Sequence, residues 1–127
     1  MYATVKTKFT KPDALIDALM ETGNWTRSQI EVHGEAQHLY GYQGDVREQT
    51  AHVIVRRNFM VGAANDLGFV QEADGSFTAL VSDYDSRQQC KPEWMASLKQ
   101  NYAFHAIRRD QEGRGRRVSR ERLPDGR

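Results

Sequence analysis

Asp83 and Asp85 flank Tyr84 in the polar run Ser82-Asp83-Tyr84-Asp85-Ser86-Arg87-Gln88-Gln89, with His105 downstream. Two carboxylates at i and i+2 share a side when the segment is extended. With a histidine they make a donor set for a divalent metal or an acid–base pair, the chemistry of a metal-dependent phosphoesterase or nuclease. The same acids also suit side-chain-to-backbone bonding in a strand-to-helix loop, where Asp is favoured for that reason alone. His105 sits beside an apolar stripe, where a histidine is more often packed than a ligand. His33, His38 and His52 lack the i, i+4 spacing of helix-borne ligands.

A second constellation is Tyr40, Tyr42, Arg56 and Arg57. Arginine offers a planar fork to phosphate, and tyrosine can stack a base. The plain alternative is a solvated sheet face. Arg108 opens a basic end that could touch nucleic acid, although four interleaved acids blunt it. Gly113-Arg114-Gly115 lacks the strand-before, helix-after setting of a phosphate loop, and no Gly-x-Ser-x-Gly elbow occurs. No cofactor signature is read.

The chain has 127 residues, enough for one domain with a real core. Its charged fraction of 28% is that of ordinary globular proteins. Mean hydropathy is −0.74 and no apolar run approaches a membrane span, so no membrane partner is expected. Met1–Lys6 holds no apolar signal core, and a single cysteine, Cys90, excludes an internal disulfide. A reducing, cytoplasmic setting follows as the expectation. Residues 1–107 carry 10 Lys/Arg against 13 Asp/Glu, and residues 108–127 carry 8 Arg against 4, so only the tail is basic.

The elements that must position these residues follow from periodicity and turn chemistry. Tyr2–Thr10 alternates as an opening strand. Thr10 or Lys11 caps a helix with Pro12 first, Leu15, Ala18 and Leu19 on one face, and Gly23 at its end. Arg27–His33 predicts a strand, Gly34-Glu35 a turn, and Gln37–Tyr42 a short strand with a bulge or loop from Gly41 and Gly44. Asp45–Gln49 reads as loop, His52–Arg57 as strand, and Asn58–Ala64 as loop. Leu67–Gln71 and Phe77–Ser82 form a hairpin about Asp74-Gly75. The second of these strands is apolar on both faces and therefore central. Pro92 starts a long helix with Trp94, Leu98 and Tyr102 on its stripe, ended by Gly113 and Gly115. Arg117–Leu123 suggests a last strand before a turn at Pro124-Asp125-Gly126. Trp25, Trp94 and Phe104 are expected in the core. The expected architecture is α+β: one domain over 1–113, with an antiparallel sheet of about five strands and two helices on one face. It would be a ferredoxin-like variant, with a basic tail over 114–127.

Several runs, taken in order, carry a resemblance: Gly41-Tyr42-Gln43-Gly44-Asp45, Ala51–Arg57, Ala64–Phe69, the Asp74-Gly75 turn, Ser82–Asp85, and Trp94 through His105. Over residues 2–120 the chain resembles the domain of unknown function 1257 family. That family includes a conserved hypothetical plastid reading frame and its cyanobacterial and phage relatives. The resemblance implies no activity. It implies a closing strand, turn and strand, of which this chain holds the first strand and the turn.

The leading expectation is a small non-catalytic binding protein for an anionic ligand such as a nucleotide. In its phage-type form, it would sequester a nucleotide signal. The candidate residues are Tyr40, Tyr42, Arg56, Arg57, Asp83, Asp85, His105 and Arg108. The alternatives are the metal-dependent enzyme and a protein–protein regulatory module, with a homo-oligomer as one form.

Overall fold

The computed structural model describes residues 1–118. Strands β1 (Tyr2–Lys6), β2 (Ile30–Tyr40), β3 (Val46–Val55), β4 (Leu67–Gln71) and β5 (Phe77–Ser82) form one sheet in the order β1-β5-β4-β3-β2. Helices are α1 (Pro12–Gly23), a single turn α2 (Asp83–Ser86) and α3 (Pro92–Gly113). Every strand pair is antiparallel. β2 to β5 are a meander, and β1 joins its far edge. A split βαβ arrangement would bring parallel strands together, so this sheet varies from the ferredoxin-like pattern in its strand order.

Pro12 and Pro92 each stand in the first turn of a long helix, as the missing N–H allows. Asn24 closes α1 in the left-handed conformation at φ 57°. α1 and α3 pack on the same face of the sheet. Leu15, Leu19 and Leu98 lie fully buried there with Val53, Val55, Phe69, Phe77 and Ala79. Trp25 meets the half-buried Trp94 edge-on at 6.0 Å. Phe104, expected in the core, is only half-buried. Each large side chain taken wholly out of water contributes about 1.5–3 kcal/mol, so this layer dominates the stability of the fold.

The other face carries a smaller core of Leu39, Ala51, Ile54 and Leu80. Ile54, Gly68 and Leu80 form one row across β3, β4 and β5. Leu39 reaches that row because β2 is bulged. Val32 pairs with Val53 and Gln37 with Ala51, so five steps along β2 match two along β3. Such an excess bends the strand and sharpens its twist. The outer half of the hairpin then folds over the sheet and seats Leu39 on Gly68.

Two local expectations change. No turn occurs at Gly34-Glu35, because β2 runs through it as the bulged segment. The loop expected at Asp45–Gln49 is strand from Val46 onward. Both segments are polar and largely exposed, so their sequence lacks the apolar alternation that would have marked a strand. The polar run after β5 is the helical turn α2, whose Asp85 N–H donates to the Ser82 hydroxyl at 3.1 Å. The strand expected over 117–123 and its turn fall, beyond Val118, outside the described residues. No helix among the described residues is long and apolar enough to cross a membrane.

A Cβ at Gly68 would lie 2.8 Å from the Ala51 Cβ and 2.9 Å from a Leu39 methyl. Gly68→Val should therefore lower stability by about 1–3 kcal/mol, read by urea unfolding, through displacement of Leu39 from the back-face core. Gly68→Val together with Leu39→Ala should lose less than the two single changes summed.

Candidate functional site

Asp66, only 1% exposed, begins β4 where four elements meet. Its Oδ2 accepts from the Tyr40 N–H at 2.7 Å and from Arg56 Nη1 at 2.8 Å, while Oδ1 accepts from the Arg57 N–H at 2.7 Å. Its backbone N–H donates to the Tyr40 carbonyl, and its carbonyl accepts the Tyr2 hydroxyl at 2.6 Å. Burial, and after it the Asp66 charge, push the Tyr2 hydroxyl well above the usual phenol range.

Arg56 is committed to this frame. Its Nε and Nη2 donate to the Glu31 carboxylate, each at 2.9 Å, and its Nη1 donates to the His38 carbonyl at 3.0 Å as well as to Asp66. Its guanidinium lies 5.1 Å from the centre of the Tyr40 ring. Burial works against the Arg56 charge, but the bonds to Glu31 and Asp66 outweigh it and hold the group firmly cationic. The same bonds hold Glu31 below the usual carboxylate range against the effect of burial.

Arg57 is different. Asp66 fixes its backbone, and its side chain makes one bond, from Nη1 to the Tyr42 carbonyl at 3.1 Å. Its Nε and Nη2 have no protein acceptor among the described residues. It lines a cleft of about 330 Å³ with Tyr40, Gly44, Arg56, Asn58 and Asp66. Gly44, at φ +81°, is in the left-handed region, and even a Cβ there would lie 3.7 Å from the Arg57 guanidinium. Tyr40, in this cleft, and Tyr42, whose carbonyl Arg57 bonds, are 38% and 49% exposed.

A neighbouring cleft of about 380 Å³ holds Tyr42, Arg47, Asn65, Ser82, Asp83, Tyr84 and Arg87. Its floor is a buried polar chain. Asn65 Oδ1 accepts from the Tyr42 N–H, Asn65 Nδ2 donates to Ser82 Oγ at 2.9 Å, and Ser82 Oγ donates to Asp85 Oδ2 at 2.8 Å. The Asn65 N–H also donates to that Asp85 oxygen. Asp85 Oδ1 is buried with no partner among the described residues. Burial pushes the Asp85 carboxyl up, against the bonds from Ser82 and Asn65.

The structure thus brings Tyr40, Arg56 and Arg57 together, and places Tyr42 and Asp83 in the adjoining cleft with Asp85 beneath its floor. It does not join Asp83, Asp85 and His105. On the helical turn α2, residues two apart face away from each other, so Asp83 is exposed while Asp85 is buried. His105 instead bonds Glu21 of α1 through Nε2 at 2.8 Å and accepts from Arg108 Nε at 3.2 Å. Arg108 also donates to Asp17 and Glu112, and Arg109 joins it on Asp17. These groups clasp α1 to α3. Burial raises the Asp17 carboxyl, but the Arg109 bond and charge outweigh it and hold the group low. Among the described residues, no three His, Cys, Asp or Glu side chains are grouped to hold a metal. The Cys90 thiol is buried and pushed up to about 12, chiefly by desolvation, which leaves it unreactive at neutral pH.

The family model described as "Protein of unknown function (DUF1257)" matches residues 26–126, most of the chain. The chain belongs to the DUF1257 family. No curated protein and no solved structure matches it. The DUF1257 match begins after α1, although β1 and α1 complete the sheet and its helical layer. Within the matched region lie Glu31, Asn65, Asp66 and Ser82, the polar groups whose roles sequence reasoning missed. The available signal was an Asn-Asp pair at the very start of an apolar strand, where side-chain acceptors cost most to desolvate unless paired.

Two outcomes test this frame. Asp66→Ala removes one of the two carboxylates on Arg56 and leaves two backbone N–H groups without their acceptor, and should lower stability by about 2–5 kcal/mol in chemical denaturation. For Asp85 the sign runs the other way. A raised carboxyl favours the folded state most below the ordinary value of 3.8, and that contribution is lost as pH rises through the raised value. The stability difference between Asp85→Asn and the native chain should therefore move in favour of the variant from about pH 4 to pH 7, measured by urea titration at each pH.

Proposed function

We propose that this protein is a small, non-catalytic binding protein for an anionic ligand with a planar ring system, a nucleotide being the class that fits. The observation that carries the reading is Arg57. It is fixed through its backbone, presents donors that no described residue uses, and lines a cleft with the exposed Tyr40 while bonding the Tyr42 carbonyl. Guanidinium forks match phosphate oxygens, and tyrosine rings stack bases without regard to sequence. Holding Tyr40 and Arg57 in place through Asp66 before the ligand arrives removes part of the ordering cost of binding. Sequestration of a nucleotide signal by a phage-type protein is one specific form of this reading.

The enzyme alternative has no comparable support, since Asp83, Asp85 and His105 hold separate partners in separate places. A protein partner has one observation in its favour. Phe59 and Val61, 39% and 62% exposed, follow Arg57 closely and could extend the contact surface with apolar area. Nucleic-acid binding by the basic tail concerns residues that are mostly outside the described ones.

A thermal-shift screen against linear and cyclic nucleotides, with and without magnesium, tests the proposal. A ligand at 100 times its Kd adds about 2.7 kcal/mol of apparent stability, several degrees for a domain of this size. Arg57→Ala should abolish the shift, while Arg108→Ala, on the helical face, should leave it in place. A flat screen, or a shift that survives Arg57→Ala, would exclude this site as the ligand site.

A further inference from the structure

A cleft of about 420 Å³ opens between the end of β1 and the middle of α3, lined by Lys6, Thr7, Lys8, Phe9, Lys99, Tyr102 and Ala103. Its floor is rigid and apolar. Phe9 and Tyr102 stack at 4.2 Å, and the Tyr102 hydroxyl accepts from the Thr10 and Lys11 N–H groups at 2.9 and 3.0 Å. Lys99, Tyr102 and Ala103 lie at i, i+3 and i+4 on α3, and so share one face.

The charged side chains lining this cleft are all cationic, although Lys6 also feels Asp74 at longer range. The Arg57 cleft contains Asp66, the Arg87 cleft contains Asp83, and the cleft at the start of α1 contains Asp13 and Asp110. Here three lysines line the cavity, and no Asp or Glu does. The arginines clasping α1 to α3, and Arg56, are within 4.0 Å of carboxylates. Lys6, Lys8 and Lys99 have no ion pair at that distance among the described residues. A concave apolar surface with a few convergent polar groups is the usual form of a small-molecule site, and this cleft is a half-open one with its lysines exposed. Low-dielectric walls also strengthen the pull of the lysines on an anion.

We propose that this cleft binds a small organic anion with an apolar body, an aromatic or medium-chain carboxylate or sulfonate. The apolar part would lie on the Phe9–Tyr102 pair and Ala103, with the anionic group among the lysines. The site is independent of the Arg57 cleft and differs in chemistry. Lysine ammonium groups act as point charges on flexible stems, so they select charge rather than the flat geometry of a phosphate fork.

The test is fluorescence titration of the folded protein with 1-anilinonaphthalene-8-sulfonate, with Kd measured for three variants. The expected result is saturable one-site binding. Lys8→Glu with Lys99→Glu should weaken it at least about tenfold, a change of about 1.4 kcal/mol. Ala103→Phe, at an exposed helix position, should block it by filling the cleft with the charge unchanged. Lys91→Glu, just before α3 and eight residues ahead of Lys99, should leave it intact. Inorganic phosphate should compete only weakly, having no apolar body. The proposal fails if the native protein shows no saturable binding, if either the double reversal or Ala103→Phe leaves Kd unchanged, or if phosphate competes as well as the dye does. Circular dichroism and melting of each variant confirm that losses come from the cleft and not from unfolding.

Discussion

The carboxylate of Asp66 is the constraint on which the sheet end depends. A charge this deeply buried is tolerable only when its acceptor sites are filled. Two backbone N–H groups and one guanidinium do that, one from the end of β2 and two from adjacent residues after β3. Satisfying one side chain therefore fixes the end of β2, the exit from β3 and the start of β4 relative to each other. Tyr2 adds β1 through the Asp66 carbonyl. The positions of Arg57 and both exposed tyrosines are consequences of that arrangement.

Cations divide into two populations in this fold. Arg56, Arg108 and Arg109 are taken up by Glu31, Asp66, Asp17 and Glu112, and contribute to architecture. Among the described residues, Arg57 and the lysines lining the β1–α3 cleft retain unused donors. A count of arginines in the sequence cannot separate these groups, because neutralisation depends on which acids the topology brings near. Glu31 and Arg56 are 25 residues apart, and Asp17 and Arg108 are 91 apart.

Much of the architecture was legible beforehand. Pro12 and Pro92 mark helix starts through local backbone chemistry, the helices run to Gly23 and Gly113 with the left-handed turns taken by Asn24 and Gly115 beyond them, and Asp74-Gly75 marks the hairpin through the positive φ that Gly75 adopts. The stripe of Trp94, Leu98 and Tyr102 gave α3, and the two-sided strand at Phe77–Ser82 gave the back-face contact of Leu80. What stayed hidden was non-local. The bulge in β2 goes with the seating of Leu39 on Gly68, a contact across 29 positions that no window of neighbouring residues contains. The candidate site was legible in part for the same reason. Tyr40, Arg56 and Arg57 do meet, but the Asp66 that unites them announced itself only as an acid at a strand start. Asp83 and Asp85 share a side only in an extended segment, whereas Ser82 caps a helical turn that turns them apart.

The bulged strand has a bearing on assembly. β2 is an edge strand of 11 residues, and a straight strand of that length would present a long row of unpaired N–H and C=O groups to a second chain. Its pairing slips after Val32 and again after His38, so no incoming strand could follow it without matching the same breaks. Open-ended strand addition through β2 is thereby discouraged. The irregularity that folds Leu39 into the molecule also helps keep one molecule from templating the next.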